Sequence, residues 1–323
     1  MKRWPTLVNK SGVLFGLVAI FALFALIGPE SFSSFHNVET ILRQTAIVGT
    51  AALGMTLVII GGGIDLSVGS IIALVAVVIA ALLQAGVSPI LAALGGIGVG
   101  ALSGLVNGLL ITRLRVVPFI VTLGTMLVIR GAAKGIAHEQ KIDAPPTWLN
   151  QMLAALSPDE AWKLFPPGVW ITIALAVIVA TMLHYTRLGK HIVAIGSNEQ
   201  TALLAGIAVN RVKTIVYSVS AGFAGVAGLM QFSRLTVGDP TVAVGLELDV
   251  IAAVVIGGGS LSGGEGSVLG SIVGALIMTT IRSGCSQMGL PNWVQEIITG
   301  TIIIVAVAVD RLRHRRLEMS AQQ

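Results

Sequence analysis

Val58–Ser70 reads VIIGGGIDLSVGS and Val255–Ser267 reads VIGGGSLSGGEGS, so two apolar runs each break at three glycines and a small polar stretch and then resume. Unwound backbone at membrane depth is tolerated only where protein buries it or where it lines a wet cavity. Glycine-interrupted apolar segments in both halves of a chain are typical of a transport path. A chance match between two glycine-rich stretches is the alternative.

The composition around these breaks is that of a membrane protein. Of 323 residues, 54% are hydrophobic and 11% are charged, whereas a soluble domain carries about 25% charged residues. The mean hydropathy is +0.91, and the 39 glycines suit helices that pack closely in lipid. Basic cytoplasmic loops explain the net charge of +5 better than nucleic acid binding does. We therefore expect no nucleic acid partner and one membrane domain over residues 1–323.

Apolar segments of membrane-spanning length predict an all-α bundle of about ten transmembrane helices. A bilayer core of about 30 Å needs about 20 apolar residues per helix. The first segment follows a basic N-terminus, as in a signal peptide, but the later spans favour an uncleaved first helix. The segments lie near residues 13–28, 46–60, 67–84, 90–111, 118–136, 169–185, 214–232, 248–258, 267–283 and 293–309.

Basic residues predict the orientation of this bundle. With ten spans and a cytoplasmic N-terminus, all four basic groups lie inside, as the positive-inside rule requires. Both termini are then cytoplasmic, residues 137–168 form a periplasmic loop, and residues 186–213 form a cytoplasmic loop. The four groups are Lys2, Arg3 and Lys10; Arg113 and Arg115; Arg187, Lys190, Arg211 and Lys213; and Arg311, Arg313, Arg315 and Arg316.

Polar groups within the apolar segments mark a candidate translocation path, because an ionisable residue inside a span usually faces a cavity or a partner. Hydroxyls, amides and backbone groups would hold a neutral polar solute, and the carboxylates are too few and scattered for a proton relay. The candidates are Asp65 and Ser67 in the first break, Asn107 in the fourth span, Thr122 and Thr125 in the fifth span, and Gly257, Gly258 and Ser260 in the second break.

Several of the polar residues also have a purely structural interpretation. Asp65 could cap a helix that begins near Leu66, and Asn107 could hold a neighbouring helix. Glu247 and Asp249 could form the acidic first turn of the eighth span. Arg130 and Lys134 could extend their side chains to the interface between the bilayer and the water outside the cell.

The sequence supports neither enzymatic activity nor ATP binding by this chain. Leu261–Glu265 reads LSGGE, close to the LSGGQ signature of ATP-binding cassette ATPases, but the sequence lacks the phosphate-binding GxxxxGK[ST] loop that this signature requires. It also lacks an HExxH pair, and Cys285 is its only cysteine. We therefore expect no catalytic residue, no metal site and no cofactor.

The cytoplasmic loop at 186–213 carries a candidate contact for another protein. Its centre places small and apolar residues at helical spacing, which predicts a short helix across the cytoplasmic face. A loop of this length between neighbouring spans is unusual, although a plain linker is the alternative. The candidate coupling residues are Gly196, Asn198, Ala202, Gly206 and Ile207.

An ordered series of motifs over about residues 40–310 resembles the ribose-type permease family of ABC importers. The resemblance implies a fold similar to the type II importer bundle and a coupling helix at about Asn198–Val209. The motifs are GIDLSVGS at Gly63–Ser70, TLGTM at Thr122–Met126 with Arg130–Gly131, AIGSNEQTALLAGIAVNRVK at Ala194–Lys213, YSVSAGFAGVAGL at Tyr217–Leu229, GLELDVIAAVVIGGGSLSGGEGSVLGS at Gly245–Ser271, and GLPNWVQEIITGTIIIVAVAVD at Gly289–Asp310.

The same resemblance implies function and partners. Two permease chains, identical or sister copies, would form a pore in the bacterial inner membrane, with two ATPase copies inside. A periplasmic sugar-binding protein would dock outside, here on loops 137–168 and 233–247. The expected cargo is a monosaccharide carried by alternating access, or a furanone-like signalling molecule as in a few members. From the residues alone, an ion-coupled secondary transporter and a passive channel stay open as alternatives.

Overall fold

The chain folds into a helical bundle. The computed structural model describes the backbone of residues 4–321 and the side chains of residues 12–308 other than 158 and 161. Lys2 and Arg3 lie outside the described residues, as do the side chains of Lys10 and of the four arginines between 311 and 316. The two terminal basic groups therefore remain an argument from sequence.

Twelve α-helices occur in the described part of the chain, and ten of them coincide with the ten predicted spans. The prediction of an all-α membrane bundle is confirmed. The helices are α1 (Trp4–Ile27), α2 (Phe35–Ile60), α3 (Val68–Gln84), α4 (Pro89–Leu114), α5 (Pro118–Ile136), α6 (Pro167–Tyr185), α7 (Arg187–Ser197), α8 (Glu199–Leu204), α9 (Val209–Leu235), α10 (Leu246–Ile256), α11 (Val268–Gln287) and α12 (Asn292–Ala321).

Length and burial separate the helices into an inner and an outer group. α2, α4, α5, α6, α9 and α11 are long and apolar enough to cross a membrane, and shorter apolar stretches occupy Gly12–Ile27, Val68–Gln84 and Asn292–Ala308. The apolar window of α2 is 89% buried, whereas that of α5 is 17% buried. α2, α3, α9, α10 and α11 thus form the core, and the outer helices leave apolar side chains such as Leu102 and Ile178 exposed.

Glycines bring α4 and α9 to backbone distance. Gly100, Gly104 and Gly108 recur every four residues on the face of α4 that meets α9. A Cβ on Gly104 would overlap the carbonyl oxygen of Tyr217, and a Cβ on Gly108 would lie 2.7 Å from Thr214 Cα. Small residues are the usual means of helix association in lipid, where no hydrophobic effect drives helices together.

The bundle has two chemically different ends. The basic end carries Arg113 and Arg115, at the junction of α4 and α5, and also α7 and α8. An ion pair of 2.7 Å between Glu199 of α8 and Lys213 of α9 joins these two helices. The loop end carries the α5–α6 connection, in which β1 (Ile142–Asp143) pairs antiparallel with β2 (Val237–Gly238). Short 3-10 turns order the rest of that connection at Trp148–Gln151 and Pro158–Lys163.

Candidate functional site

The two glycine breaks meet at one point near the basic end, where the end of α7 joins them. Gly264 N–H donates to the carbonyl oxygen of Ile60 at 2.8 Å. A Cβ on Gly196 of α7 would overlap that oxygen and would lie 2.5 Å from Gly264 N, and a Cβ on Gly263 would lie 3.0 Å from Gly62 Cα. We call this contact the glycine junction, formed by Gly61–Gly63, Gly196 and Gly263–Gly264.

Left-handed backbone turns the chain at the junction. The φ angles are +78° at Gly62, +85° at Gly263 and +78° at Gly264. Glycine enters this region without steric cost, whereas other residues do not. A side chain at Gly263 would in addition meet the Gly196 carbonyl oxygen, 2.6 Å from its Cβ. The two glycine-rich stretches therefore meet at one point, where glycines let their backbones touch.

The polar residues of the first break belong to one enclosed hydrogen-bonded cluster. Asp65 Oδ1 accepts from Ser67 N at 2.8 Å and from Ser67 Oγ at 2.6 Å, and Asn107 Nδ2 donates to Ser67 Oγ at 2.9 Å. Thr122 Oγ1 donates to the Ile64 carbonyl oxygen at 3.3 Å. The four side chains are buried within one subunit. In this conformation they join the start of α3 to α4 and α5. Their predicted role in the translocation path stays a prediction.

Asp65 stabilises the turn before α3 and does not occupy the cap of that helix. α3 begins at Val68 with Ser67 at its N-cap, and both hydrogen bonds to Asp65 come from Ser67. A carboxylate that accepts from the backbone two residues on is an Asx-turn. Thr125, one turn beyond Thr122 on α5, is half-buried and donates to the Thr122 carbonyl oxygen at 3.3 Å.

The second break packs backbone against backbone. Gly257 ends α10 and lies against the backbone of Gly270 on α11, and Gly258 turns left-handed with φ +90°. Ser260 is buried, and its amide donates to the Glu265 carbonyl oxygen at 3.1 Å. The LSGGE stretch is therefore a compact turn whose two glycines belong to the glycine junction.

Open space adjoins the second break far more than the first. A cavity of about 620 Å³ is bounded by α1, α6, α7 and residues 264–270. A second cavity of about 700 Å³, which shares Gly258 with the first, lies among α1, α10, α11 and α12. Beside the first break the cavity at Tyr217 measures about 20 Å³. Among the predicted path residues, Gly257 and Gly258 therefore border open space.

The loop between α6 and α9 contains the short helix expected from its sequence. Asn198 Oδ1 caps α8 by accepting from a backbone N–H at 2.8 Å, and Gly206 ends the helix with φ +80°. Side-chain oxygens at the N-cap and left-handed glycines after the last turn are the usual helix ends. Within α8, Ala202 is buried against the bundle, whereas Leu203 and Leu204 are 64% and 89% exposed.

Ile207 completes the turn that follows α8. Its N–H donates to the Ala202 carbonyl oxygen at 3.1 Å, and its side chain is half-buried. At the other end of α8, Asn198 follows α7 directly, and Gly196 of α7 lies in the glycine junction. Packed backbone thus connects the exposed leucines of α8 with both breaks.

An irregular segment, missed by the sequence analysis, enters the bundle from the loop end. A Cβ on Gly238 would lie 2.6 Å from Ala80 Cβ, and a Cβ on Gly69, near the start of α3, would overlap the Ala243 carbonyl oxygen. We call residues 236–245 the re-entrant segment. Glycines on both chains let the segment pass along α3. The docking of a binding protein on loop 233–247 stays a prediction.

Charged side chains hold the re-entrant segment and the helix after it. Arg130 Nη1 donates to the carbonyl oxygens of Pro240 at 2.9 Å and Val242 at 2.7 Å, so Arg130 does not extend to the membrane boundary. Asp249 lies in the first turn of α10, as expected, and also pairs with Arg282 of α11 at 2.6 Å. The sequence held one indication of the Arg130 contact, because an arginine within a predicted span usually faces a cavity or a partner.

The sequence of this chain is similar to those of known transport proteins over most of its length. Residues 37–307 match the family model described as branched-chain amino acid transport system / permease component. The chain is 40% identical to the ribose import permease protein RbsC of Bacillus subtilis (strain 168), over 94% of this chain and 93% of that protein. It is 38% identical to RbsC of Escherichia coli (strain K12), over 91% and 92%.

A relative named for another sugar matches at similar length. The L-arabinose ABC transporter permease protein AraH of Azospirillum brasilense is 36% identical, over 96% of this chain and 90% of that protein. No solved structure matches the chain. The matched length and the helical bundle show that this chain belongs to the permease family of ABC importers and is a multi-pass membrane protein.

Proposed function

We propose that this chain is the membrane-spanning permease subunit of an ATP-driven importer that carries a monosaccharide into a bacterial cell. Relatives that match nearly its whole length are named as ribose or L-arabinose permeases, which supports a sugar as cargo. In this proposal the basic end faces the cytoplasm, as the positive-inside rule favours, and both termini are cytoplasmic. The loop end then faces the periplasm and the sugar-binding protein. The chain performs no catalysis itself.

The contact of α7 with both glycine breaks carries this proposal. Leu203 and Leu204 project from α8 at the basic end, beside the ion pair of Glu199 and Lys213. An apolar centre with a charged rim matches the anatomy of a protein interface. An ATPase subunit that displaces α8 would move α7, and Gly196 would transmit that movement to the two breaks through backbone contact.

Alternating access follows from a hinge at the junction. Glycines in left-handed conformation can absorb large changes of φ and ψ without side-chain clashes. Rearrangement at the junction shifts α3 against α2 and α11 against α10, so the path opens first to one side and then to the other. A second permease copy completes the pore. Specificity resides chiefly in the binding protein, and the permease holds the sugar weakly so that it is released.

Replacement of an exposed leucine on α8 tests the ATPase contact. We expect Leu204→Glu to reduce sugar uptake and co-purification of the cognate ATPase at least tenfold, because a buried unpaired carboxylate disrupts an apolar interface. Leu114→Glu is the matched control, since Leu114 is an exposed leucine in the last turn of α4 at the same end. Equal ATPase recovery from both variants would contradict the assignment of α8.

Energy dependence separates this proposal from its alternatives. Uptake of labelled ribose, arabinose or xylose should persist when the proton and sodium gradients are collapsed while ATP is maintained. It should stop when ATP is depleted. An ion-coupled transporter predicts the reverse, and a passive channel predicts flux in both conditions. A permease for a furanone-like signal would show ATP-dependent uptake of that molecule and none of the sugars.

A further inference from the structure

The re-entrant segment penetrates deeply into the bundle. Its contacts with α3 run from Ala80, which Gly238 touches, to Gly69, which the Ala243 carbonyl oxygen touches. These two contacts are eleven residues apart on α3, or about 16 Å at 1.5 Å per residue. Since the hydrocarbon core of a bilayer is about 30 Å thick, non-helical backbone reaches roughly the middle of the membrane.

One side of this segment is anchored to the subunit. Arg130 donates to two of its carbonyl oxygens, and Asp239 Oδ1 accepts from Thr241 N at 2.8 Å and from Thr241 Oγ1 at 2.6 Å. Lys141 pairs with Asp239 at 3.4 Å. Ala243 holds a left-handed φ of +58°, which costs about 1 kcal/mol or more for a residue with a Cβ. The shape of the segment is therefore imposed by specific contacts.

The opposite side of the segment is exposed. Thr241 lies on the surface, Val244 is 71% exposed, and Leu248 in the first turn of α10 is 46% exposed. Lipid-exposed irregular backbone does not occur within the hydrocarbon region, because lipid cannot satisfy its polar groups. The exposed side must therefore face either water or protein.

We propose that the exposed side of the re-entrant segment forms part of the wall of the translocation path, with Thr241 and Val244 in contact with the passing solute. This inference rests on the proposed function. The Thr241 hydroxyl donates to Asp239 and keeps its oxygen lone pairs for accepting from a solute hydroxyl. Val244 adds an apolar surface. One weak acceptor beside an apolar side chain suits a neutral polyhydroxylated molecule that must be released.

Cysteine accessibility tests this wall. In a Cys285→Ala background, Thr241→Cys and Val244→Cys are exposed to a charged, membrane-impermeant methanethiosulfonate reagent applied to cells or right-side-out vesicles. The thiolate is the reactive form and requires water around it. Leu102→Cys on the exposed surface of α4 is the control for lipid contact. We expect residues 241 and 244 to react at least tenfold faster than residue 102.

The readouts distinguish this inference from the proposed function. Labelling is measured on the permease itself, with and without its ATPase and ATP, whether or not any sugar is transported. Rates as slow as that of Leu102→Cys in both conditions would overturn the wall. Fast labelling without uptake of any sugar would retain the wall and contradict the proposed cargo.

Discussion

The guanidinium of Arg130 donates to two carbonyl oxygens of the re-entrant segment, at 2.7 and 2.9 Å. From the sequence, this residue could equally extend to the membrane boundary, because an arginine on a span has the same local pattern in both cases. The two interpretations differ only in what a segment 110 residues away in sequence does. Residue roles of this kind depend on contacts that no local pattern contains.

Loss of this tether should be measurable at a single residue. We expect Arg130→Met to lower stability by about 2–4 kcal/mol, because hydrogen bonds to charged groups contribute about 1.5–3 kcal/mol each. Arg130→Lys should recover part of the loss. Thermal unfolding in detergent gives the measurement, and Lys134→Met, which removes an exposed charge from the same helix, is the control. A midpoint unchanged by Arg130→Met would contradict the tether.

At the scale of elements, glycine spacing decides which helices touch. α4 meets α9 along Gly100, Gly104 and Gly108, and the glycine junction joins α2, α7 and the α10–α11 turn in the same way. Glycine in a helix costs about 1 kcal/mol of helix stability. Its recurrence on one face therefore indicates a close contact, although the sequence alone does not name the partner helix.

Two glycines of α4 provide a matched test of this contact. We expect Gly104→Ala to destabilise the bundle by about 1–3 kcal/mol, as overpacking usually does, because its Cβ would overlap the Tyr217 carbonyl oxygen. Gly98 lies on the same helix with open space around its Cβ position, so Gly98→Ala should be neutral or stabilising by up to about 1 kcal/mol. Detergent unfolding midpoints compare the two, and equal effects would refute the close approach.

At the scale of the whole molecule, the basic end and the loop end should face opposite sides of the membrane. In a Cys285→Ala background, an impermeant thiol reagent should label Trp162→Cys in intact cells and Leu204→Cys only after permeabilisation. Both parent side chains are largely exposed, so in a permease expressed without its ATPase, access alone decides the outcome. Labelling of Leu204→Cys in intact cells would reverse the proposed orientation.

Much of the architecture was predictable because lipid imposes local requirements. A span needs about 20 apolar residues, and all ten predicted segments coincide with helices. The short helix at the basic end was also predictable, since its spacing and ends are local. Its contact with an ATPase stays a prediction, as does the path role of Asp65, Ser67, Asn107 and Thr122.

By itself, the sequence determined the membrane as solvent, the places of ten apolar helices, the family resemblance and the two glycine breaks. Only the tertiary structure decided that the breaks meet at Gly196, that the Asp65 cluster is enclosed, and that residues 236–245 enter the bundle. The reason is physical. Apolar length and charge act on each segment separately, whereas backbone contact between remote segments exists only once the helices have packed.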